Sequence, residues 1–467
     1  MSKIVTMRGL FPPSFSSFSS FSSSASFSSF GAPLIAAALA LSPLSLPATA
    51  VTAAPVTGIP GSTRSLPLAP LTRARVLGAA PEQGLYRAGG EHFSLLGVVW
   101  DDPGAELRGR VQVRTRAAGT GAWTDWRDVE THNGGHGPDP GTAEAASRRV
   151  RGATAPLWVG ASEGVDVRVR AASVPLPDGT GSTGARTSVP LPSGLRLELV
   201  DPGDDGTPPG TPADTPLTVP ETAAARAASA ANTDVAGFGA LEIPELDKAA
   251  TERELTRLKG PARTASYIGA RPRIVTRLAW GADESLREPG FGYTKTVKAA
   301  FVHHTGSGNQ YSCSQAPSVI RSIYRYHVKS MGWRDIGYNF LVDKCGTVYE
   351  GRAGGVAKAV LGAHTLGFNS DSMGIAVIGT YTGTEPSDAV VTALARLTAW
   401  KLGLNGADPQ GRTYLTSAGG NLYRKGKNVQ LNVISGHRDG FATDCPGTAL
   451  YARLGAARSA ASDYQGR

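Results

Sequence analysis

Three side chains in the last third of this 467-residue chain have the types and setting of a metal site. His303 stands in Phe301-Val302-His303-His304-Thr305, and His437 is followed eight positions later by Cys445. Two imidazoles and one thiolate can fill three corners of a tetrahedral zinc site, leaving the fourth corner open to water. Structural zinc usually takes four protein ligands, so a set of three points toward chemistry. Water held by Zn²⁺ loses its proton far more readily than bulk water, and the same ion can polarise a carbonyl. A thiolate donates more charge than an imidazole, so this site is expected to be a milder acid than a three-histidine one and to rely on neighbouring groups. The chain contains no His-Glu-x-x-His helix, which excludes ordinary zinc-protease geometry.

Other residues compete for roles. Adjacent side chains on a strand point to opposite faces, so only one of His303 and His304 should meet the metal, and alternation does not choose between them. His327 lies at helical spacing with Ile320, Ile323 and Tyr324 and reads as a core histidine. His364, in Gly362-Ala363-His364-Thr365, follows a glycine-rich loop and is a candidate for the cleft wall. Gly160-Ala161-Ser162-Glu163-Gly164 matches a nucleophile elbow, but that device needs a helix directly after the serine. Here Val165-Asp166-Val167-Arg168-Val169 alternates like a strand, so a turn between strands is the better reading. Gly354-Gly355 lacks the Gly-Lys-Ser/Thr of a phosphate loop.

The elements that must position these residues change character along the chain. Residues 265–467 read as α/β. Strands are expected at Val297–His303, Tyr338–Val342, Thr347–Glu350, Gly374–Tyr381 and Leu431–Ile434, with helices at Gln315–Ser330 and Ser387–Leu404. Residues 85–200 read as a β-rich, sandwich-like domain, with strands around Phe93–Trp100, Val111–Arg114, Val165–Val169 and Leu195–Leu199. Its tryptophans, Trp100, Trp123, Trp126 and Trp158, read as core residues in preference to a carbohydrate-stacking face. Residues 201–264 form a Pro/Ala-rich linker, and residues 51–84 a flexible N-terminal segment.

Residues 1–50 have the pattern of a signal peptide: Lys3 and Arg8, the short apolar run Leu34–Leu41, and the small-x-small site Ala48-Thr49-Ala50. That run is too short to span a bilayer, which takes about 20 residues, and no later segment qualifies. The protein is expected to be secreted, without an integral membrane span. A formal charge of +9 and a pI near 9.5 suit an anionic partner. No run of basic residues interleaved with aromatics points to nucleic acid. Three cysteines fit export: Cys313 and Cys345, near the ends of one helix–strand unit, form the expected disulfide and leave Cys445 as a metal ligand.

Six segments occur in order that resemble one known family. They are Arg277-Leu278-Ala279-Trp280-Gly281-Ala282, Val302-His303-His304-Thr305, Gly332–Phe340, Val348-Tyr349-Glu350-Gly351-Arg352, Gly362-Ala363-His364-Thr365, and Gly436-His437-Arg438-Asp439 with Cys445-Pro446. Together they resemble a peptidoglycan recognition protein, or N-acetylmuramoyl-L-alanine amidase type 2, domain over roughly residues 270–460. The resemblance implies a mixed central sheet flanked by helices, a zinc cleft, and cleavage of the amide between the lactyl group of muramic acid and L-alanine. It places the zinc ligands on His303, His437 and Cys445, with His303 favoured over His304 because related phage amidase-lysozymes carry Val-His-Cys-Ser there. It places the catalytic tyrosine on Tyr338. Thr443 stands where the phage enzymes have a lysine, as in many animal amidases of the family, and is the second candidate contact to the oxyanion. His304, Trp333 and His364 are the expected substrate contacts. Diaminopimelate-preferring animal members have Gly-Trp after Glu-Gly-Arg, whereas Ala353-Gly354-Gly355-Val356 follows Arg352 here.

The expected function is therefore a secreted zinc amidase acting on peptidoglycan, with Zn²⁺ as cofactor. The alternative is a non-catalytic peptidoglycan binder, and retention of His303, His437, Cys445 and Tyr338 together argues for the enzyme. A secreted protease is the third and weakest reading.

Overall fold

The described residues build two large sheets that share one apolar seam, with two further sheets of two strands each. The computed structural model describes residues 60–71, 81–131, 133–147, 149–175, 186–203, 222–261 and 267–467. The expected signal peptide and the proline-rich first half of the linker lie outside the described residues.

The N-terminal sheet is antiparallel, in the order β1 (Pro60–Pro67), β6 (Arg196–Gly203), β2 (Glu82–Trp100), β5 (Leu157–Ala171), β3 (Gly109–Ala117), β4 (Arg127–Val129). The short segments Ala69–Pro70 and Gly152–Ala153 also pair with β2. Strand β1 falls in the segment expected to be flexible; its pairing with β6 from Pro60 to Pro67 gives it an edge-strand role. Alternation explains why β2 is so apolar. Leu96, Val98 and Trp100 pack with Val111, Val113, Val167 and Leu197, while Leu95 and Val99 join Trp158 and Val200 in a second cluster. The Gly160–Gly164 string lies inside β5, not in a turn between strands, and no helix follows it. Two of the four tryptophans depart from the core reading. Trp100 and Trp158 are buried, whereas Trp123 is 40% exposed and Trp126 lies against the Arg168 guanidinium at 4.2 Å from the ring centre.

The second sheet is mixed, in the order β7 (Glu242–Ile243), β8 (Ile274–Val275), β11 (Val348–Glu350), β10 (Phe340–Val342), β12 (Ser372–Val377), β9 (Ala299–His304), β13 (Ile434–Gly436). Strands β9, β10, β12 and β13 are parallel. Every residue of β9 and β12 is buried, as parallel strands covered on both faces require. Helices α4 (Asp388–Gly403) and α5 (Leu454–Gln465) cover one face through Leu394, Leu397, Trp400 and Leu454. On the other face lies α3 (Ala316–Arg325), followed by a wider π-type turn, Tyr326–Ser330, where the sequence pattern suggested one continuous helix. The disulfide Cys313–Cys345 ties the start of this helical segment to the β10–β11 turn.

The second half of the expected linker is built into this layer. Helices α1 (Ala223–Ala230) and α2 (Lys248–Lys259) are capped by Thr222 and Asp247, and β7 pairs with β8. Asn232 donates to both carboxylate oxygens of Glu350.

The N-terminal sheet docks on α3. Leu95, Val99 and Trp158 share a cluster with Ile320, Ile323 and Tyr326. Tyr326 Oη donates to the Thr154 carbonyl at 3.2 Å and Ser330 Oγ to Glu198 at 2.8 Å, both buried. A Cβ at Gly97 would lie 2.3 Å from Tyr326 Oη, so only glycine lets the strand approach this closely. This rigid seam fixes the direction in which the β4–β5 connection leaves the N-terminal sheet.

Candidate metal centre

Parallel pairing brings the first two expected ligands together. Val302 of β9 is in register with Gly436 of β13, so the residues that follow, His303 and His437, emerge side by side at the carboxyl ends of neighbouring strands. This crevice is where open α/β sheets bind ligands. The ring centres of His303 and His437 are 4.6 Å apart. Cys445 reaches them through a short loop in which the Arg438 amide donates to the Cys445 carbonyl. Its Sγ lies 3.7 Å from Nδ1 of His303, and the thiol is buried and unbridged.

Hydrogen bonds select the ring atoms that face the centre. His303 Nε2 is 3.3 Å from both His364 Nδ1 and Thr365 Oγ1, which leaves Nδ1 toward Cys445. Nε2 of His437 donates to the Gly135 carbonyl at 3.0 Å, and its Nδ1 is buried without a hydrogen-bond partner. A ligand histidine held by its other nitrogen is the usual arrangement around a metal.

His304 is held elsewhere: its Nδ1 accepts from the Tyr381 amide at 3.2 Å, and its Nε2 lies 3.5 Å from Glu130. The register therefore separates the two adjacent histidines that alternation alone left open.

A fourth side chain stands beside these three. His136, from the β4–β5 connection of the N-terminal domain, packs its ring 4.4 Å from that of His437 and 5.2 Å from that of His303. Its Nε2 is 3.9 Å from Cys445 Sγ. One ligand atom from each of His136, His303, His437 and Cys445 lies within 4.8 Å of every other. The three expected ligands are therefore joined by a fourth candidate donor from the preceding domain, one the sequence did not single out.

Burial pushes the His303 and His437 imidazoles well below their usual range and His136 down to about 4, so all three rings are neutral with lone pairs available. Burial pushes the Cys445 thiol well up, which a cation at this point would reverse. Two nitrogens facing a buried sulfur, an orphaned Nδ1 and a third imidazole suit zinc's preference for nitrogen and sulfur donors. Zinc would be held by His303, His437 and Cys445, with His136 beside them.

The remaining expected residues are distributed around this cluster. Tyr338 is buried with its ring 5.5 Å from that of His303 and 5.9 Å from that of His136. Burial first, then the neighbouring Cys445 and Glu130 charges, raise its phenol well above the ordinary value. Thr443 Oγ1 accepts from the Cys445 amide at 3.3 Å, beside the centre. Trp333 is buried and stacks on His327 at 4.4 Å between ring centres, and His327 Nδ1 accepts from the Gly337 amide. His364 is fully buried beneath His303, so it holds that ring and does not reach a cleft wall. Glu130 and His136 were not singled out in the sequence. The only local sign is a histidine within the glycine-rich run Asn133-Gly134-Gly135-His136-Gly137.

A mixed sheet with a buried histidine–cysteine cluster at the carboxyl ends of its parallel strands, behind a β-rich domain, defines a two-domain α/β protein with a candidate metal site. Residues 293–448 match the N-acetylmuramoyl-L-alanine amidase family, and residues 48–193 match the Rv3811 N-terminal galactose-binding domain-like family. Peptidoglycan-recognition protein SC2 of Drosophila simulans is 31% identical over 180 residues, 38% of this chain and 82% of that protein. The N-acetylmuramoyl-L-alanine amidase of Homo sapiens is 33% identical over 194 residues, 40% of this chain and 28% of that one. Among solved structures, Drosophila PGRP-LB is 26% identical with a TM-score of 0.31, covering 39% of this chain and 92% of that one. The chain belongs to the peptidoglycan-recognition protein and N-acetylmuramoyl-L-alanine amidase family. Membership supports peptidoglycan binding or amidase activity in general.

Proposed function

We propose that this chain is an exported zinc-dependent N-acetylmuramoyl-L-alanine amidase that hydrolyses the amide between muramic acid and the stem peptide of peptidoglycan. The observation that carries the reading is the convergence of His303 Nδ1, His437 Nδ1 and Cys445 Sγ, with Tyr338 packed against them. Bound zinc would polarise the lactyl carbonyl and acidify a water.

The chain's own residues do the rest. Tyr338 donates its phenolic proton as a hydrogen bond to the oxyanion that develops on that carbonyl, and Thr443 adds a second polar contact. His364 and Thr365 fix the His303 ring through its Nε2. His304 and Trp333, both buried, back the cluster through the Tyr381 amide and the His327 ring. Glu130, 3.5 Å from His304 Nε2, is assigned to guide the proton toward the leaving nitrogen.

The test is digestion of purified muropeptides with the full chain, in parallel with Cys445→Ser. Mass spectrometry should find stem peptide with a free L-alanine amino group in the first digest and none in the second. One equivalent of zinc with no release over a prolonged digest would favour the non-catalytic binder.

A further inference from the structure

Between β4 and β5 the described residues 133–147 leave the N-terminal sheet and lie across the mouth of the candidate metal centre as a strap. Three anchors hold it there. The Gly135 carbonyl accepts from both His437 Nε2 and the Leu366 amide, at 3.0 and 2.8 Å. A Cβ at Gly135 would lie 2.5 Å from Phe441 and 2.9 Å from the His437 ring, so the backbone approaches the ligand as closely as glycine allows. The buried Asp139 carboxylate accepts from the Gly367 amide and the Asn369 side chain, each at 2.7 Å. Glu144 forms a bidentate pair with Arg352, at 2.9 and 3.0 Å, with both side chains at most 8% exposed. Between the first two anchors, His136 enters the cluster.

Zinc bound by nitrogen and sulfur prefers four ligands, and a catalytic site needs one of those positions for water or substrate. Here the fourth donor is protein. We propose that His136 is the fourth zinc ligand and that the strap carrying it is a built-in lid, so that the chain folds with its amidase cleft closed. This rests on the amidase reading above. The strap closes the site at the cluster, where an imidazole takes the corner a carbonyl or water would use, while the buried Glu144–Arg352 pair ties the strap to the second domain. The Glu144 anchor shares no atom with the metal ligands, so its loss should loosen the strap and leave the ligand set intact.

Zinc K-edge X-ray absorption on the zinc-loaded full chain tests the ligand directly. Wild type should fit three nitrogens and one sulfur, and His136→Ala two nitrogens, one sulfur and one oxygen. Zinc transfer to a chromogenic chelator should be at least about tenfold faster in His136→Ala and in Glu144→Gln, with Glu144→Gln keeping the wild-type absorption edge at equilibrium. Release of stem peptide from muropeptides should rise in both variants by a similar factor. Identical zinc environments in wild type and His136→Ala, or unchanged metal transfer in Glu144→Gln, would overturn the proposal. An altered zinc environment with faster metal transfer, but no cleavage by any variant, would uphold the lid and sink the amidase reading.

Discussion

Nε2 of His136 lies 3.9 Å from Sγ of Cys445, although 309 positions separate the two residues in the chain. One belongs to the connection between two strands of the N-terminal sheet and the other to a loop after the last strand of the second. Their meeting depends on the apolar seam where Leu95 and Val99 pack near Tyr326, because that seam aims the β4–β5 connection at the centre. The four-residue cluster is therefore a property of the two-domain chain.

Cys445→Ser should remove the metal. A serine hydroxyl is a far poorer zinc ligand than a thiolate, and the imidazoles remaining are neutral. Elemental analysis after dialysis should find zinc reduced from near one equivalent to about a tenth or less, and muropeptide cleavage should fall with it. Full zinc retention would remove Cys445 from the ligand set.

Tyr338→Phe should leave the metal in place and slow the chemistry. The phenol packs against His303 without occupying a ligand position, so its hydroxyl matters only where charge develops. Loss of one such donor costs about 2.7–4 kcal/mol, or roughly 10²–10³ in kcat. Zinc content equal to wild type with kcat lowered and KM little changed is the expected result. An unchanged kcat would deny Tyr338 its role.

Arg352→Ala should destabilise the chain more than Glu144→Gln does. Arg352 also donates to the Ile336 carbonyl at 2.8 Å, and its removal leaves the buried Glu144 carboxylate without its guanidinium, with the Arg334 amide still donating to it. Burial works against ionisation of Glu144, but the Arg352 guanidinium outweighs it and holds the carboxyl below its usual range. Breaking a buried pair of this kind typically costs about 3–5 kcal/mol. Urea unfolding of both single variants and the double variant should give a coupling energy above about 1 kcal/mol.

Much of the second domain was legible because its signals are local. The all-buried strands β9 and β12, the helix α4 and the order of the histidine-bearing segments all follow from pattern and spacing. Alternation could not choose between His303 and His304; the resemblance favoured His303, and the physical reason is the register of β9 against its neighbours. His136 escaped for a stronger reason: its loop reads as an ordinary glycine-rich turn, and the fit of Gly135 against Phe441 exists only after both domains dock. Trp123 and Trp126 misled for a related reason. They lie in the connection between β3 and β4, outside any strand, and cation–π contacts with Arg114 and Arg168 hold them against the sheet's outer side chains. The second half of the expected linker was obscured because β7 is only two residues long, too short to leave a pattern.

Lys401 should make stability depend on pH in a window that no metal ligand is needed to explain. It sits in α4 with its Nζ donating to the Val356 and Lys358 carbonyls, and burial, then the Lys259 charge, lower it from 10.5 to about 7. The folded state thus prefers the neutral amine, and the unfolded chain binds the extra proton between about pH 7 and 10.5. The penalty of holding the lysine is fully present below pH 7 and is relieved as pH rises, so its contribution to stability increases across that window. Glu350, raised to about 7 by burial, titrates between its ordinary value and that point and does not share the window. Between pH 7 and 9.5 the gain from this one group should be on the order of 3 kcal/mol, since each tenfold difference in proton affinity between the folded and unfolded chain is worth about 1.4 kcal/mol. Urea unfolding at the two pH values should record this gain in wild type relative to Lys401→Met, which removes the titrating amine and keeps the apolar stem beside Phe340 and Trp400. Equal pH dependence in the two proteins would mean that Lys401 keeps its proton in the folded state, held as a cation by the two carbonyls.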